Sequence, residues 1–439
     1  MKQGDSLSPV IFLLFINDLA QELAGMNVGT LFDQRKIPIL MYADDIVLLS
    51  DSEKEMQTML DHVHKWCKKW LMAVNLDKTK IVHFRKAKTP RSEYIYKYGS
   101  QPVEYANVYK YLGMYFDEHL TFEHNEEQLT LAGNRALGGI ISKLKQNDCM
   151  SYEVYTKCVF TCVKPVIEYG SEIVGVYNHG KLERVINAAA RAFLGVHKFC
   201  PISAMYKDLG WMQYSTLKLI NVLRYWNKLI KMKHDRLTKA VFDYMYDNQS
   251  IGSWCYYVKE MFRKMDKLTV FQNKVECDIQ EIKGKVHQMQ TDNLDREITK
   301  KPKLRLFKQL VKDERNPQVY VKLNINASER SLLSQLRMGI LPIRLETGRF
   351  NNLKIDDRVC MICNNGEIED EIHFLFSCNK YEDIRAKFIS DICRKNPELN
   401  NIDKVELLSI CFRQHTRQLA KYVYNIFEKR KELAYNTNV

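Results

Sequence analysis

Two adjacent aspartates, Asp44 and Asp45, interrupt the apolar run IPILMYADDIVLLS at residues 37–50, and this restricts the fold more than any other stretch of the chain. A charge buried without a partner or a metal is costly, and neighbouring residues on a flat strand point to opposite faces. A single continuous buried strand would therefore need something to hold the two charges. Arms of about six residues on each side, and the tolerance of Asp for turn dihedrals, predict a β-hairpin with Asp44-Asp45 at its turn. At a hairpin tip both carboxylates can reach one side and share a divalent cation such as Mg²⁺. An exposed Asp-Asp turn with no metal accounts for this stretch equally well.

The flanking sequence supplies the elements around that hairpin. SPVIFLLFINDLAQELA at 8–24 opens on a Ser-Pro pair suited to a helix N-terminus and continues with helical periodicity. Met56, Met59, Leu60, Val63, Trp66, Cys67 and Trp70 recur at helical spacing within 53–74. NLDKTKIVHF predicts a turn and a short strand, and EYANVYKYLGMYF a further hairpin or strand pair. Beyond about residue 121 the pattern becomes helical, including the basic amphipathic stretch 217–233. Residues 240–300 read as polar helices with few core signals. Trp211, Trp226 and Trp254 read as core, and His62 and His64 as surface.

The second constellation is CMICNNGEIEDEIHFLFSC at 360–378, a Cys-x2-Cys-x9-His-x4-Cys spacing. Cys360, Cys363, His373 and Cys378 offer three thiolates and one imidazole, a donor set suited to tetrahedral Zn²⁺. Zinc would stabilise a segment too small for much core of its own; a set of buried thiols and one histidine is the plain alternative. Cys393 lies outside the set and reads as structural.

Length and composition set outer limits. With 439 residues the chain is long enough for about two to four domains. A formal charge of +13 favours a polyanionic partner. Twelve cysteines, mostly without regular spacing, predict reduced thiols inside the cell. VIFLLFI at 10–16 is short for a signal peptide, lacks a cleavage site and reads as a buried helix. No apolar run approaches the ~20 residues that span a bilayer. The expectation is a soluble intracellular protein, nuclear or cytoplasmic, with no membrane partner.

Four segments then come in a fixed order: KQGDSLSPVIFLLFINDL at 2–19, ILMYADDIVLLS at 39–50, VNLDKTKIVHF at 74–84 and YKYLGMYFDEHLTF at 109–122. Together they resemble motifs B, C, D and E of the reverse transcriptases of non-LTR (LINE-type) retrotransposons. Residues 155–176 and 181–196 resemble the thumb of that family, and the Cys/His segment with its lead-in LRMGILPIRLETGRFNN resembles the family's C-terminal region. The resemblance implies RNA-directed DNA synthesis with Mg²⁺, dNTPs, an RNA template and a DNA primer or target. It makes Asp44 the metal-binding carboxylate of the palm, with Asp45 beside it and Tyr42 packed next to them. Gln3, Gly4, Ser8 and Pro9 would shape the loop and helix N-terminus under template and nucleotide. Lys78 would neutralise or protonate the leaving pyrophosphate, and Tyr111, Leu112 and Gly113 would form the primer-grip turn.

A further aspartate, from motif A, completes the metal site in this family. The chain begins inside motif B, and Asp5, Asp18 and Asp33 are not replacements for it. The expectation is a catalytically incomplete polymerase whose hairpin at 37–50 has an unpaired sheet edge. The competing reading is a non-catalytic, transposon-derived nucleic-acid-binding protein. The expected fold is α+β: a partial polymerase palm, an antiparallel sheet with helices, at 1–120. A helical thumb follows at 121–200, a helical connector at 201–327, a small zinc-knuckle-like module at 328–390 and a helical tail at 391–439.

Overall fold

The computed structural model describes residues 6–146, 150–177, 180–310, 317–394 and 396–436. By contacts the chain forms two units, 1–125 and 126–439.

The first unit mixes helices with short hairpins. Helix α1 (Ser8–Gly25) starts with a proline in its first turn, where no backbone N–H is required. Strands β1 (Thr30–Phe32) and β2 (Arg35–Ile37) pair antiparallel, as do β3 (Ile39–Tyr42) and β4 (Asp45–Leu48). Helix α2 (Glu53–Lys69) is capped by Ser52, whose side chain accepts the Glu55 amide hydrogen bond. Strands β5 (Lys97–Tyr98) and β6 (Gln101–Pro102) form a third ladder, and β7 (Val108–Tyr111) and β8 (Met114–Asp117) a fourth.

Alternation explains the core of this unit. Ile39 pairs with Leu48 and Met41 with Ile46; these four face Ile16, Leu19 and Leu23 of α1 and Met59, Val63 and Trp66 of α2. Leu40 and Tyr42 take the opposite, exposed face.

Several expectations change here. The palm sheet is four separate two-stranded ladders among the described residues. The strand expected at 81–84 reduces to one bridge, Ile81 to Tyr105. Helix α1 is not a buried helix throughout: Val10, Ile11, Leu13 and Leu14 are exposed. The buried stripe Ile16, Leu19 and Leu23, with Phe12 and Phe15 partly buried beside it, meets the partner face.

The second unit is helical. Helix α3 (Glu123–Gln146) leads into it, followed by α4 (Tyr152–Cys158), a π-helical turn at Val159–Val163 and α5 (Lys164–Ile167). Then come α6 (Ser171–Val174), α7 (Gly180–Leu194), α8 (Ile202–Leu209) and α9 (Tyr214–Lys231). Helices α10 (Leu237–Asn248), α11 (Trp254–Lys264), α12 (Leu268–Gln272) and α13 (Ile279–Lys300) fill the connector. Helices α14 (Arg305–Leu310), α15 (Val319–Lys322), α16 (Ala327–Arg337) and α17 (Arg344–Phe350) precede the Cys/His segment. Helices α18 (Glu382–Cys393), α19 (Lys404–Gln414) and α20 (Thr416–Asn436) follow it.

One core runs through most of this unit, from Tyr155 and Phe193 to Leu333, Phe374, Tyr381, Val423 and Ile426. The Cys/His segment therefore borrows its apolar support from α16 and α20. At the centre of the core Arg337 makes two 3.0 Å bonds to Asp208, and the Tyr320 hydroxyl donates to the same carboxylate at 2.7 Å. Both charged side chains are buried.

The connector has a core that the sequence pattern does not announce. The indole of Trp226 stacks on Phe271 and meets Phe242 and Phe262 edge-on, while its N–H donates to the Val275 carbonyl at 2.9 Å. Aromatic side chains contribute heavily to such a core, because each buries a large area. Trp211 and Trp254 are buried as expected. His62 and His64 are half-buried, with His62 on Glu22 and His64 against Tyr98.

Candidate functional site

The register of β3 and β4 decides where the two aspartates go. Tyr42 pairs with Asp45, so the two-residue loop is Ala43-Asp44. The expected Asp44-Asp45 turn is thus shifted by one residue. Asp44 caps the tip, and Asp45 opens β4 on the outward face that it shares with Tyr42. Both carboxylates are exposed, so the desolvation cost raised by their apolar neighbours does not arise. Among the described residues neither is engaged by a hydrogen bond or ion pair.

Ala43 carries the strain of this loop, with φ +52°. A left-handed φ costs a residue with a Cβ roughly 1–2 kcal/mol. Ala43→Gly is therefore expected to stabilise the hairpin by up to about 1 kcal/mol, net of the entropy of glycine. Hydrogen exchange of the β3 and β4 amides would register the gain, and weaker protection would contradict it.

The second hairpin brings the other residues alongside. Leu112 and Gly113 form its loop with φ +47° and +82°, the two left-handed positions of a type I′ turn. Tyr109 and Tyr111 alternate onto one face of β7. The Tyr109 hydroxyl donates to the Lys78 carbonyl at 3.0 Å. The Tyr111 hydroxyl is held above its usual pKa by burial and then by the charge of Asp45. One strand face thus bonds the Lys78 turn through Tyr109, and its Tyr111 lies within reach of the charge of Asp45. Lys78 sits in a turn whose amide bonds the Asn75 carbonyl, and its side chain is exposed.

Ser8 and Pro9 occupy the first turn of α1. Gln3 and Gly4 lie outside the described residues.

The Cys/His set converges in the second unit. Ligand atoms of Cys360, Cys363, His373 and Cys378 all lie within 4.8 Å of one another, and all four residues are buried. The Cys-x2-Cys half sits in a loop closed by the bridge of Val359 to Ile368 and by the Cys360 amide donating to the Glu367 carbonyl at 2.8 Å. The His-x4-Cys half is a π-helical turn, His373–Ser377, in which the Cys378 amide reaches the His373 carbonyl at 2.8 Å. An α-helix would leave residues at this separation on different faces. The wider π-turn gathers them.

Imidazole orientation is fixed as a metal ligand requires. Nδ1 of His373 meets the Glu367 carboxylate at 2.7 Å, leaving Nε2 3.5 Å from the Cys363 sulfur. Hydrogen bonding from Cys378, then from His373, holds the Cys360 thiol well below its ordinary pKa. The donor set fits Zn²⁺, whose bonds of ~2.3 Å to sulfur and ~2.0 Å to nitrogen match sites of this span. Glu367 orients the ring from outside the set. Glu367→Ala is expected to lower zinc affinity about 10- to 100-fold, measured by competition with a chromophoric chelator; unchanged affinity would remove it from that role.

Charged struts hold this centre against the helices. Glu369, buried, takes two bonds from Arg430 of α20 at 2.7 and 2.8 Å and one from the Arg344 amide at 2.5 Å. Arg305 pairs with Glu371, and the Tyr422 hydroxyl donates to the Leu375 carbonyl.

Residues 1–116, which contain both hairpins and the Lys78 turn, match the reverse transcriptase (RNA-dependent DNA polymerase) family. Over 221 residues the chain is 27% identical to the probable RNA-directed DNA polymerase from transposon BS of Drosophila melanogaster, covering 47% of this chain and 24% of that protein. It is 24% identical over 247 residues to the probable RNA-directed DNA polymerase from transposon X-element of the same organism, covering 54% and 25%. Over 80 residues it is 34% identical to the retrovirus-related Pol polyprotein from type-1 retrotransposable element R2 of Popillia japonica, covering 18% and 11%. These similarities support a reverse transcriptase of the LINE type. It spans about a quarter of the length of the first two relatives.

Tyr42, Asp44, Asp45, Lys78, Tyr111, Leu112 and Gly113 lie in the first unit, and the four Cys/His residues come together in the second. Tyr109 and Glu367 are the residues that sequence reasoning passed over. Tyr109 stands two positions from Tyr111, a spacing that puts both on one strand face. Glu367 carries no local signal, since its position beside His373 depends on how the loop closes.

Proposed function

We propose that this chain supplies the palm hairpin, thumb and Cys/His-bearing parts of an RNA-directed DNA polymerase of the non-LTR type. It works inside the cell on an RNA template, a DNA primer or target, and dNTPs. The observation that carries the reading is the exposed, unpaired carboxylate pair at the β3–β4 tip, with Tyr111 and the Lys78 turn drawn alongside by one face of β7. Asp44 and Asp45 hold Mg²⁺, which when bound activates a primer hydroxyl and neutralises charge at the leaving group. Lys78 places its ammonium at the departing pyrophosphate. The Tyr111-Leu112-Gly113 turn grips the primer, while Ser8 and Pro9, with Gln3 and Gly4, shape the floor under template and nucleotide. The Cys3His set holds a structural Zn²⁺. Residues 1–120 act as palm, 121–200 as thumb, 201–327 as connector, 328–390 as zinc module and 391–439 as tail; the division of contacts at 125/126 supports the first boundary.

Among the described residues no third carboxylate joins Asp44 and Asp45 in a metal-sized group. Two-metal phosphoryl transfer places its ions ~4 Å apart and requires ligands for both. This 439-residue chain alone is therefore expected to bind a cation at the tip without extending a primer. That same observation favours a second reading, a transposon-derived nucleic-acid binder without catalysis.

Titration with Mn²⁺ is expected to broaden the amide signals of Ala43, Asp44 and Asp45, and Asp44→Asn with Asp45→Asn to abolish the effect. Persistent broadening in the double variant would defeat the metal assignment. Incorporation of dNTPs on a primed RNA template by the chain alone would defeat the claim of incompleteness.

A further inference from the structure

The helical unit contains a cleft that the polymerase reading leaves unused. It lies between α9 and α13, with a volume of about 460 Å³. Leu217, Asn221 and Arg224 line it from α9 at the spacing of one helix face. Lys283, Gly284 and His287 line it from α13 at the same kind of spacing. One turn beyond His287, Gln290 ties α13 to the chain before α9: it accepts from the Gln213 amide at 2.8 Å and donates to the Trp211 carbonyl at 3.0 Å.

The chemistry of the walls is one-sided. No carboxylate lines the cleft. Arg224 and Lys283 have no acidic partner among the described residues, and Arg224 spends one N–H on Asn221 at 3.2 Å. Two unpaired cations on facing helices raise the local potential and favour an anion between them. The floor, however, is apolar, formed by Leu217 with Met212 and Ile220. A bare phosphate would gain nothing from that floor. Gly284 leaves the α13 wall open, since a Cβ there would meet nothing within 4 Å. A ligand with a flat apolar face and a phosphate at its edge matches all three features.

We propose that this cleft binds a nucleotide unit of single-stranded nucleic acid, its base on the apolar floor and its phosphate between Arg224 and Lys283. The site stands on the cleft and not on the aspartate hairpin, and it extends the reading that the chain handles nucleic acid. Backbone phosphates and base faces are the features that single-strand binding sites use together.

The full chain and a fluorescein-labelled oligouridylate of about 12 nucleotides, the order of a single-strand site, provide the test by anisotropy across a salt series. Arg224→Gln with Lys283→Gln is expected to lower the slope of log K against log salt by about 0.7, the value for one phosphate contact on a single strand. Gly284→Leu changes no charge and raises helix propensity, yet it fills the cleft, so it is expected to weaken binding at least about tenfold. Loss of binding in both variants, with unchanged circular dichroism, supports the site. Wild-type affinity in Gly284→Leu overturns it even if the charge variant fails to fold. Equal displacement of the probe by polyglutamate overturns the nucleotide assignment, and so does a preference for duplex over single strand. Mn²⁺ broadening of the Ala43, Asp44 and Asp45 amides, recorded on the cleft variants themselves, reports the hairpin independently: broadening retained while oligonucleotide binding falls keeps failure of either reading separately visible.

Discussion

Stripping Zn²⁺ from the loaded protein with a strong chelator is expected to unfold the segment around 358–378 and to loosen α20 with it. Structural zinc in isolated finger peptides is worth an apparent ~10–16 kcal/mol at neutral pH. Here the segment also leans on a shared core, so part of its structure survives and the loss in the second unit is smaller, about 3–5 kcal/mol. For a unit of this size that corresponds to a fall in melting temperature of roughly 10 °C. Cys363→Ser should reproduce most of the effect without chelator. Because thiolates are the ligands, affinity must fall as pH falls and protons compete for sulfur. Native mass spectrometry gives the stoichiometry, one zinc per chain. A chain that holds no zinc after folding in its presence, or melts identically with and without chelator, would end the zinc assignment.

The second large effect is expected at Asp208. Its carboxylate is fully buried against Arg337 and Tyr320, and the guanidinium sits among the rings of Phe412, Phe307 and Tyr320. Removing one partner leaves a charge with neither water nor counter-ion. Asp208→Ala is accordingly expected to destabilise the second unit by about 3–5 kcal/mol. Replacing both partners by apolar residues of similar volume, Asp208→Leu with Arg337→Met, should recover most of that loss, because no uncompensated charge remains. Urea unfolding of the two variants provides the comparison. A single variant that loses under ~1 kcal/mol would mean that water reaches Arg337 and that the pair is not the buried anchor its geometry describes.

The contrast between these two sites shows what local sequence can and cannot encode. The four residues of the Cys/His cluster fall within nineteen residues (360–378) and announce themselves by residue type and spacing. Asp208 and Arg337 are 129 residues apart, and neither is distinguishable by sequence from a solvated surface charge. The connector core is intermediate. Its aromatic residues are visible, but only the packing of α9 to α12 around Trp226 makes them a centre.

The sequence by itself determined the hairpin, the order of the motifs around it, the helical character beyond residue 121 and the four residues of the Cys/His cluster. These depend on turn chemistry, periodicity and spacing, which act over a few residues. Tertiary structure decided the rest. The β3–β4 register moved the turn to Ala43-Asp44 and put Asp45 on the outer face with Tyr42, since a one-residue shift in a period-two ladder reverses the face of every side chain. Closure of the second hairpin brought Tyr109 to the Lys78 turn and Tyr111 within reach of the charge of Asp45. A π-turn, invisible in composition, turned His373 and Cys378 toward one centre. Each of these outcomes depends on contacts between segments distant in sequence, whose energies exist only once the chain has closed on itself.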